Sequence, residues 1–372
     1  AMPGESLHYT VDIPADQPPG LYWYHTHPHG ESYQQTLDGM SGAIVIDGMD
    51  RYFPEIKNMK EKILILRDAE LKQGDPSSAV LTGAVELAPY GCGAATGKAT
   101  RVFTVNGVVR PKIAIAYGEK QFWRIVNASP DLYADLEVDS ESMTVVALDG
   151  MPLTYHDPKR HPEELRHVLL APAGRAEVIV KGPMPGRATS LRSLCVNTGA
   201  DGDPNPAMVL ADLDTNAEEA VPTHSLQAEP YDKAIYRPLP NHVRNRLERS
   251  APDFTVKFSE DKNGFYINDR KFSPDAEPMT RVKVGTYAHW RVTNATNEIH
   301  PFHIHQVHFL VYGSAGVPLR RPEWMDTVNL APKESLDLIM DFTDRIIRGL
   351  SVFHCHLLSH EDKGMMATIR FE

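Results

Sequence analysis

Cysteine is scarce in this chain. Cys92, Cys195 and Cys355 are three among 372 residues, too few for a disulfide framework. Cys92 and Cys195 can pair or stand as two structural thiols, and the sequence leaves both open. No apolar run reaches 18 residues, so no transmembrane helix is expected. Positive charge is in the minority. Lys+Arg 38 against Asp+Glu 49 gives a net charge of −11, which argues against nucleic acid or an anionic membrane as partner. The opening Ala1-Met2-Pro3-Gly4-Glu5 shows no basic region followed by an apolar stretch. No signal peptide is visible there, and this places the chain in no compartment. Helical periodicity is weak outside residues 241–249.

What the chain does have is 42% apolar residues and turn formers, Pro 29 and Gly 25. That composition excludes a mainly disordered or fibrous protein. Short alternating or β-branched runs recur at 42–46, 62–66, 102–105, 121–126, 176–180, 255–258, 289–292 and 350–353, with turn residues between them. The fold class this implies is all-β, with sandwich or barrel units in tandem. An internal repeat supports the tandem. Phe103-Thr104-Val105-Asn106-Gly107 and Phe122-Trp123-Arg124-Ile125-Val126-Asn127 match Phe265-Tyr266-Ile267-Asn268-Asp269 and His289-Trp290-Arg291-Val292-Thr293-Asn294. A second echo joins residues 20–27 to 349–356. The predicted units are 1–49, 50–212 and 213–372, with the acidic stretch 212–222 as a linker. The first is too short for a full sandwich of roughly 100 residues.

Ten of the 17 histidines fall in three windows: His25, His27, His29; His300, His303, His305, His308; and His354, His356, His360. Side chains alternate along a strand. His25 and His27 therefore share a face, as do His303 and His305, with His300 of opposite parity. In His354-Cys355-His356 the imidazoles share one face and the thiol takes the other, so one strand can serve two metal sites. Two imidazoles, a thiolate and a weak axial thioether make a blue-copper electron-transfer site. The candidates are His300, Cys355, His360 and Met365. Neutral imidazoles alone suit copper that binds dioxygen, and the candidates are His25, His27, His303, His305, His354 and His356.

The segments His300-Pro301-Phe302-His303-Ile304-His305 and His354-Cys355-His356-Leu357-Leu358-Ser359-His360-Glu361-Asp362-Lys363-Gly364-Met365 resemble the two C-terminal copper motifs of multicopper oxidases, the family of laccases and cuprous oxidases. Tyr22-Trp23-Tyr24-His25-Thr26-His27 is similar to their second N-terminal motif. The resemblance implies cupredoxin-like Greek-key domains and a type 1 copper that accepts electrons. It also implies a type 2/type 3 trinuclear cluster that reduces dioxygen to water. Glu361 would relay protons to the cluster. Asp326, in a segment resembling one near the blue copper, would orient a ligand histidine or take a substrate proton. Cys355 is the electron-transfer residue.

The family pattern has eight cluster histidines, and this sequence supplies six. A His-Xaa-His-Gly motif does not occur upstream of His25. The expectation is that the first half of the first domain is absent and that the cluster of this chain is incomplete. His29 and His308 are expected to have supporting or structural roles, and His8, His156, His161, His167, His224, His242 and His289 to be ordinary surface or core residues. The function implied is oxidation of a phenolic, aromatic-amine or low-valent metal-ion reductant with dioxygen as acceptor, in the periplasm or outside the cell. The alternatives are a non-catalytic periplasmic binding or scaffold protein with a degraded cluster, and a copper nitrite reductase.

Overall fold

The computed structural model describes residues 4–70, 101–139, 141–184, 189–215 and 235–372. Cys92 lies outside these residues, and with it the question of its pairing. The strand Gly20–His25 pairs antiparallel with Ser41–Ile46, His25 facing Ser41. Each of the two larger units is built from two sheets. The middle unit has a seven-stranded sheet around Lys60–Glu70, Lys120–Asn127 and Arg175–Lys181, and a five-stranded sheet around Ala134–Val138 and Ser190–Leu194. The last unit repeats the plan with six strands around Thr286–Asn294 and Ser335–Phe342, and five around Gly349–Cys355. The chain therefore has the all-β cupredoxin-type architecture expected, and the short helix Asn241–Leu247 forms where the periodicity placed one.

Local sequence explains the layers. Ala134–Val138 alternates buried and half-buried positions, as a strand with one covered face should. Lys120–Asn127 is buried along nearly its whole length because it sits inside a sheet covered on both faces. The repeat has a structural counterpart. Trp123 and Trp290 occupy matching positions and are both fully buried. Asn127 and Asn294 end matching strands, and each side-chain amide donates to carbonyls of nearby segments: Leu132 and Leu170 for Asn127, Glu298, Leu330 and Ala331 for Asn294.

Two features position the site. In the last unit, Gly349–Cys355 lies between His300–Ile304 and Met366–Phe371, with Cys355 opposite Phe302 and His354 opposite His303. The first arm is set against the middle unit at Gly20, where an added Cβ would stand 2.4 Å from the Gly150 carbonyl oxygen. The close approach requires glycine there, and the Tyr22 hydroxyl reaches the same carbonyl at 2.9 Å.

Candidate metal centre

The parity argument predicts two separate sets of ligands, and the side chains divide accordingly. On one face of the strand ending at Cys355, the His300 Nδ1 lies 3.3 Å from the Cys355 Sγ and 3.4 Å from the His360 Nδ1. All three are buried. Met365 is buried in the same apolar cluster. Its N–H donates to the His360 carbonyl, and its own carbonyl accepts from the Cys355 N–H, so the loop after the thiol folds back on it. Tautomer follows from the outer edge. The His300 Nε2–H donates to the Thr296 hydroxyl at 2.9 Å, which leaves Nδ1 with its lone pair facing the thiol. Burial pushes His300 down to about 3 and His360 well below its ordinary value, and raises the Cys355 thiol. The imidazoles are neutral and ready to ligate. A thiol so disfavoured as a bare anion becomes a thiolate when a soft cation takes its charge.

On the opposite face, His27, His305 and His354 bring ligand nitrogens within 4.8 Å of one another. The His305 and His354 Nε2 atoms are 3.2 Å apart. His25 packs on His27 and His356, and His303 on His305, His354 and His356, with ring centroids 5.2–5.5 Å apart. The six imidazoles therefore form one contiguous group drawn from three strand ends. Here the tautomer is reversed. Nδ1–H of His25 donates to the Thr26 carbonyl at 2.8 Å, that of His303 to the Asp326 carbonyl at 2.9 Å, and that of His354 to the Cys355 carbonyl at 2.9 Å. Each bond leaves Nε2 free for a ligand.

Burial, reinforced by neighbouring imidazoles, lowers His25 and His27 to about 4 and drives His305 and His356 well down. Among the described residues, both nitrogens of His356 and Nε2 of His27 are buried with no hydrogen-bond partner. An unmet buried polar atom costs about 1–3 kcal/mol. Such atoms on rings of one contiguous imidazole group fit a metal cluster that takes their lone pairs.

Both candidate carboxylates lie beside this second set. Glu361 is 2% exposed, which removes it from the solvated surface. Its Oε2 lies 3.0 Å from the His354 Nδ1 and its Oε1 3.5 Å from the His27 Nε2. Burial opposes its charge, but His354 and His27 outweigh burial and hold it near 2. Asp326 stands behind His303 and so serves the imidazole cluster. Its side chain is held by both terminal nitrogens of Arg175, at 2.8 and 2.7 Å. Its Oδ1 also accepts from the Thr327 hydroxyl and lies 3.7 Å from the His303 Nδ1, which fixes the carboxylate beside that ring.

Sequence reasoning missed several neighbours. Phe265 stacks on His360 with centroids 3.9 Å apart, and Trp23 on His25 at 4.5 Å. Glu298 faces the outer Nε2 of His300 at 3.7 Å and of His360 at 3.5 Å, and Glu260 lies 3.9 Å from the former. Only Trp23 carried a signal, since it lies two residues from His25 and so on the same face. His29 packs on His27 and Phe272, and His308 donates to the Asp149 carbonyl; neither belongs to a ligand group.

Tandem two-sheet β units bearing a His-Cys-His set and an all-imidazole set define a cupredoxin-type copper protein. Comparison with known proteins agrees. Residues 243–372 and residues 1–51 match family descriptions of multicopper oxidases. The chain is similar to a multicopper oxidase of Staphylococcus haemolyticus, 24% identical over 374 residues, covering 97% of this chain and 70% of that protein. It is similar to a laccase of Bacillus subtilis, 25% identical over 405 residues, covering 97% and 72%. Among solved structures, a multicopper oxidase of Campylobacter jejuni described as a metallo-oxidase is 25% identical with a TM-score of 0.70, covering 97% of this chain and 73% of that one. Over residues 243–372 and 1–51 the chain carries multicopper oxidase domains, and that family implies copper and supports an oxidoreductase class.

Proposed function

We propose that this chain takes electrons from a small reductant one at a time at His300, Cys355, His360 and Met365, and that His25, His27, His303, His305, His354 and His356 are its six contributions to a dioxygen-reducing cluster whose family pattern has eight. Copper bound to the two sets would supply the one-electron couple and the dioxygen-binding centre. The observation that carries this reading is the switch of the inward-facing ring nitrogen across one strand. Nδ1 faces inward around the thiol and Nε2 faces inward around the cluster. The run His354-Cys355-His356 joins the two sets covalently. Asp326 and Thr327 hold the His303 ring through Nδ1. Glu361 stands within reach of two cluster imidazoles, where its carboxylate can accept and release protons at Oε1 and Oε2. We assign the units to 1–49, 50–212 and 213–372, and the protein to the periplasm or the extracellular space.

Copper per chain, measured after reconstitution together with the blue thiolate-to-copper absorption, tests the reading. Blue colour with copper in excess of one per chain is expected. Copper uptake without a blue band overturns it.

The surroundings of the outer imidazole edges favour a cationic reductant over a neutral phenol. Glu298 and Glu260 lie against His300, and Asp131, Asp203 and Glu298 outnumber the one guanidinium, of Arg101, in a small cavity lined also by His360. The Campylobacter relative described as a metallo-oxidase is in keeping with this. Burial and the neighbouring Glu260 raise Glu298 to about 9, so it meets a cation by giving up its proton; Glu298→Gln, which has no proton to give up, should lower kcat/KM for Fe(II) or Cu(I) by roughly tenfold and leave a neutral phenol unchanged. An equal fall for both substrates would assign Glu298 to structure alone.

A further inference from the structure

The arm carrying His25 and His27 is well anchored at one end only. Strand pairing and Tyr22 fix residues 20–25. Beyond His25, a single main-chain bond back to the partner segment remains, from the Thr26 N–H to the Met40 carbonyl at 3.2 Å. His27 lies past the strand, so what holds residues 30–33 decides where its ring stands. There the helix Ser32–Leu37 begins, and Glu31, at its N-cap, makes no side-chain capping bond. The acceptor comes from the last unit instead. Asp362 Oδ1 accepts from the N–H groups of Gly30 and Ser32, both at 3.1 Å, and Oδ2 accepts from the Tyr33 N–H at 2.9 Å. Two oxygens on three main-chain donors leave little room to slide. Gly30 has φ +90°, a left-handed turn that suits glycine.

Asp362 is also the third of three consecutive residues that each face a different part of the machinery. His360 meets His300 and the thiol. Glu361 meets His354 and His27. Asp362 meets the main chain that carries His27 and His29.

We propose that Asp362 is a positioning residue that latches the first-arm histidines onto the metal loop of the last unit, setting the place of His27 in the cluster. The proposal rests on the copper-cluster reading for its consequence, though not for the contact itself. Asp362 touches no ligand atom; it acts through the backbone of residues 30–33. One helical turn thereby ties together the thiol site, the cluster and the first unit.

The test compares the full chain with Asp362→Ala and Asp362→Asn. Amide hydrogen exchange of peptides covering residues 26–34 is measured in the metal-free proteins, and copper affinity and the blue band after loading. Both variants should exchange faster over 26–34, Ala more than Asn. The blue band should persist, because all its ligands lie in the last unit. Affinity for copper beyond the blue site should fall by about tenfold or more, the usual cost of losing a group that orients a ligand. Unchanged exchange in both variants overturns the latch. Faster exchange with unchanged copper affinity overturns the positioning role. If Asp362→Ala loses the blue band through misfolding, Asp362→Asn decides; loss of both copper sets together in that milder variant also counts against the proposal. If the unaltered chain takes up only the blue copper, the cluster reading fails, while the exchange comparison still judges the contact.

Discussion

Cys355→Ser is expected to abolish the blue absorption and reductant oxidation together, while leaving the fold intact. The thiol is fully buried between Phe302 on the neighbouring strand and the ring of His300. Serine is smaller and nearly isosteric, so the β-sandwich core is not opened. What it removes is the soft, polarisable thiolate that selects copper and gives the site its colour. The imidazole set on the other face has its own donors and keeps its geometry. Copper content should therefore fall by the blue-site ion alone. Spectroscopy, metal analysis and activity on one preparation check this. Surviving turnover of the reductant would show that electrons enter elsewhere and would sink the assignment of Cys355.

The second large effect belongs to a residue of the middle unit. Arg175→Met should destabilise the protein by about 3–5 kcal/mol, the usual cost of leaving a buried carboxylate without its partner. Arg175 is 2% exposed and uses all three guanidinium nitrogens. It binds Asp326 in a bidentate pair and also donates to the carbonyls of Ala173, Asp149 and Leu21. These contacts join the first arm, the middle unit and the strand segment behind His303.

The pH dependence has a definite sign. Burial opposes ionisation of Asp326, but Arg175 and His303 outweigh it and hold the carboxyl well below its ordinary 3.8. A depressed carboxyl contributes stability that is full above its unfolded value and disappears as pH falls through its folded one. The unaltered protein should thus lose this contribution progressively as pH falls from 3.8 toward the much lower folded value, and Arg175→Met should lack it already at neutral pH. Denaturation followed between neutral and acid pH distinguishes the two. Equal acid sensitivity would show that the pair contributes nothing to stability.

Much of the site is visible in the residues alone because strand geometry is local. Alternation along His354-Cys355-His356 separates the thiol from the imidazoles before any fold is known. The odd spacing of His300 from His303 puts it on the side of Cys355, where it stands. The repeat of Trp123 and Trp290, and of Asn127 and Asn294, likewise foretold two units of one plan. Asp326 was legible as a residue that could orient a ligand histidine; that the histidine is His303 comes from the structure. Sequence proximity to a copper segment does not say which face of that segment a side chain will meet. Glu361 is likewise placed by the fold: an acid that composition would leave on the surface is drawn under two imidazoles, His354 and His27.

Residue type and period by themselves determined that this is an all-β protein and that its thiol and clustered imidazoles divide into two sets. Both properties depend on neighbours a few positions apart. Only the tertiary structure decided what holds those sets in register. Arg175 reaches Asp326 across 151 positions, Asp362 reaches Tyr33 across 329, and Glu298 turns its carboxyl to two ligand rings at once. Such contacts carry no period. They arise where separately folded sheets meet, and a buried charge at those meetings is stable only if its partner arrives from another part of the chain.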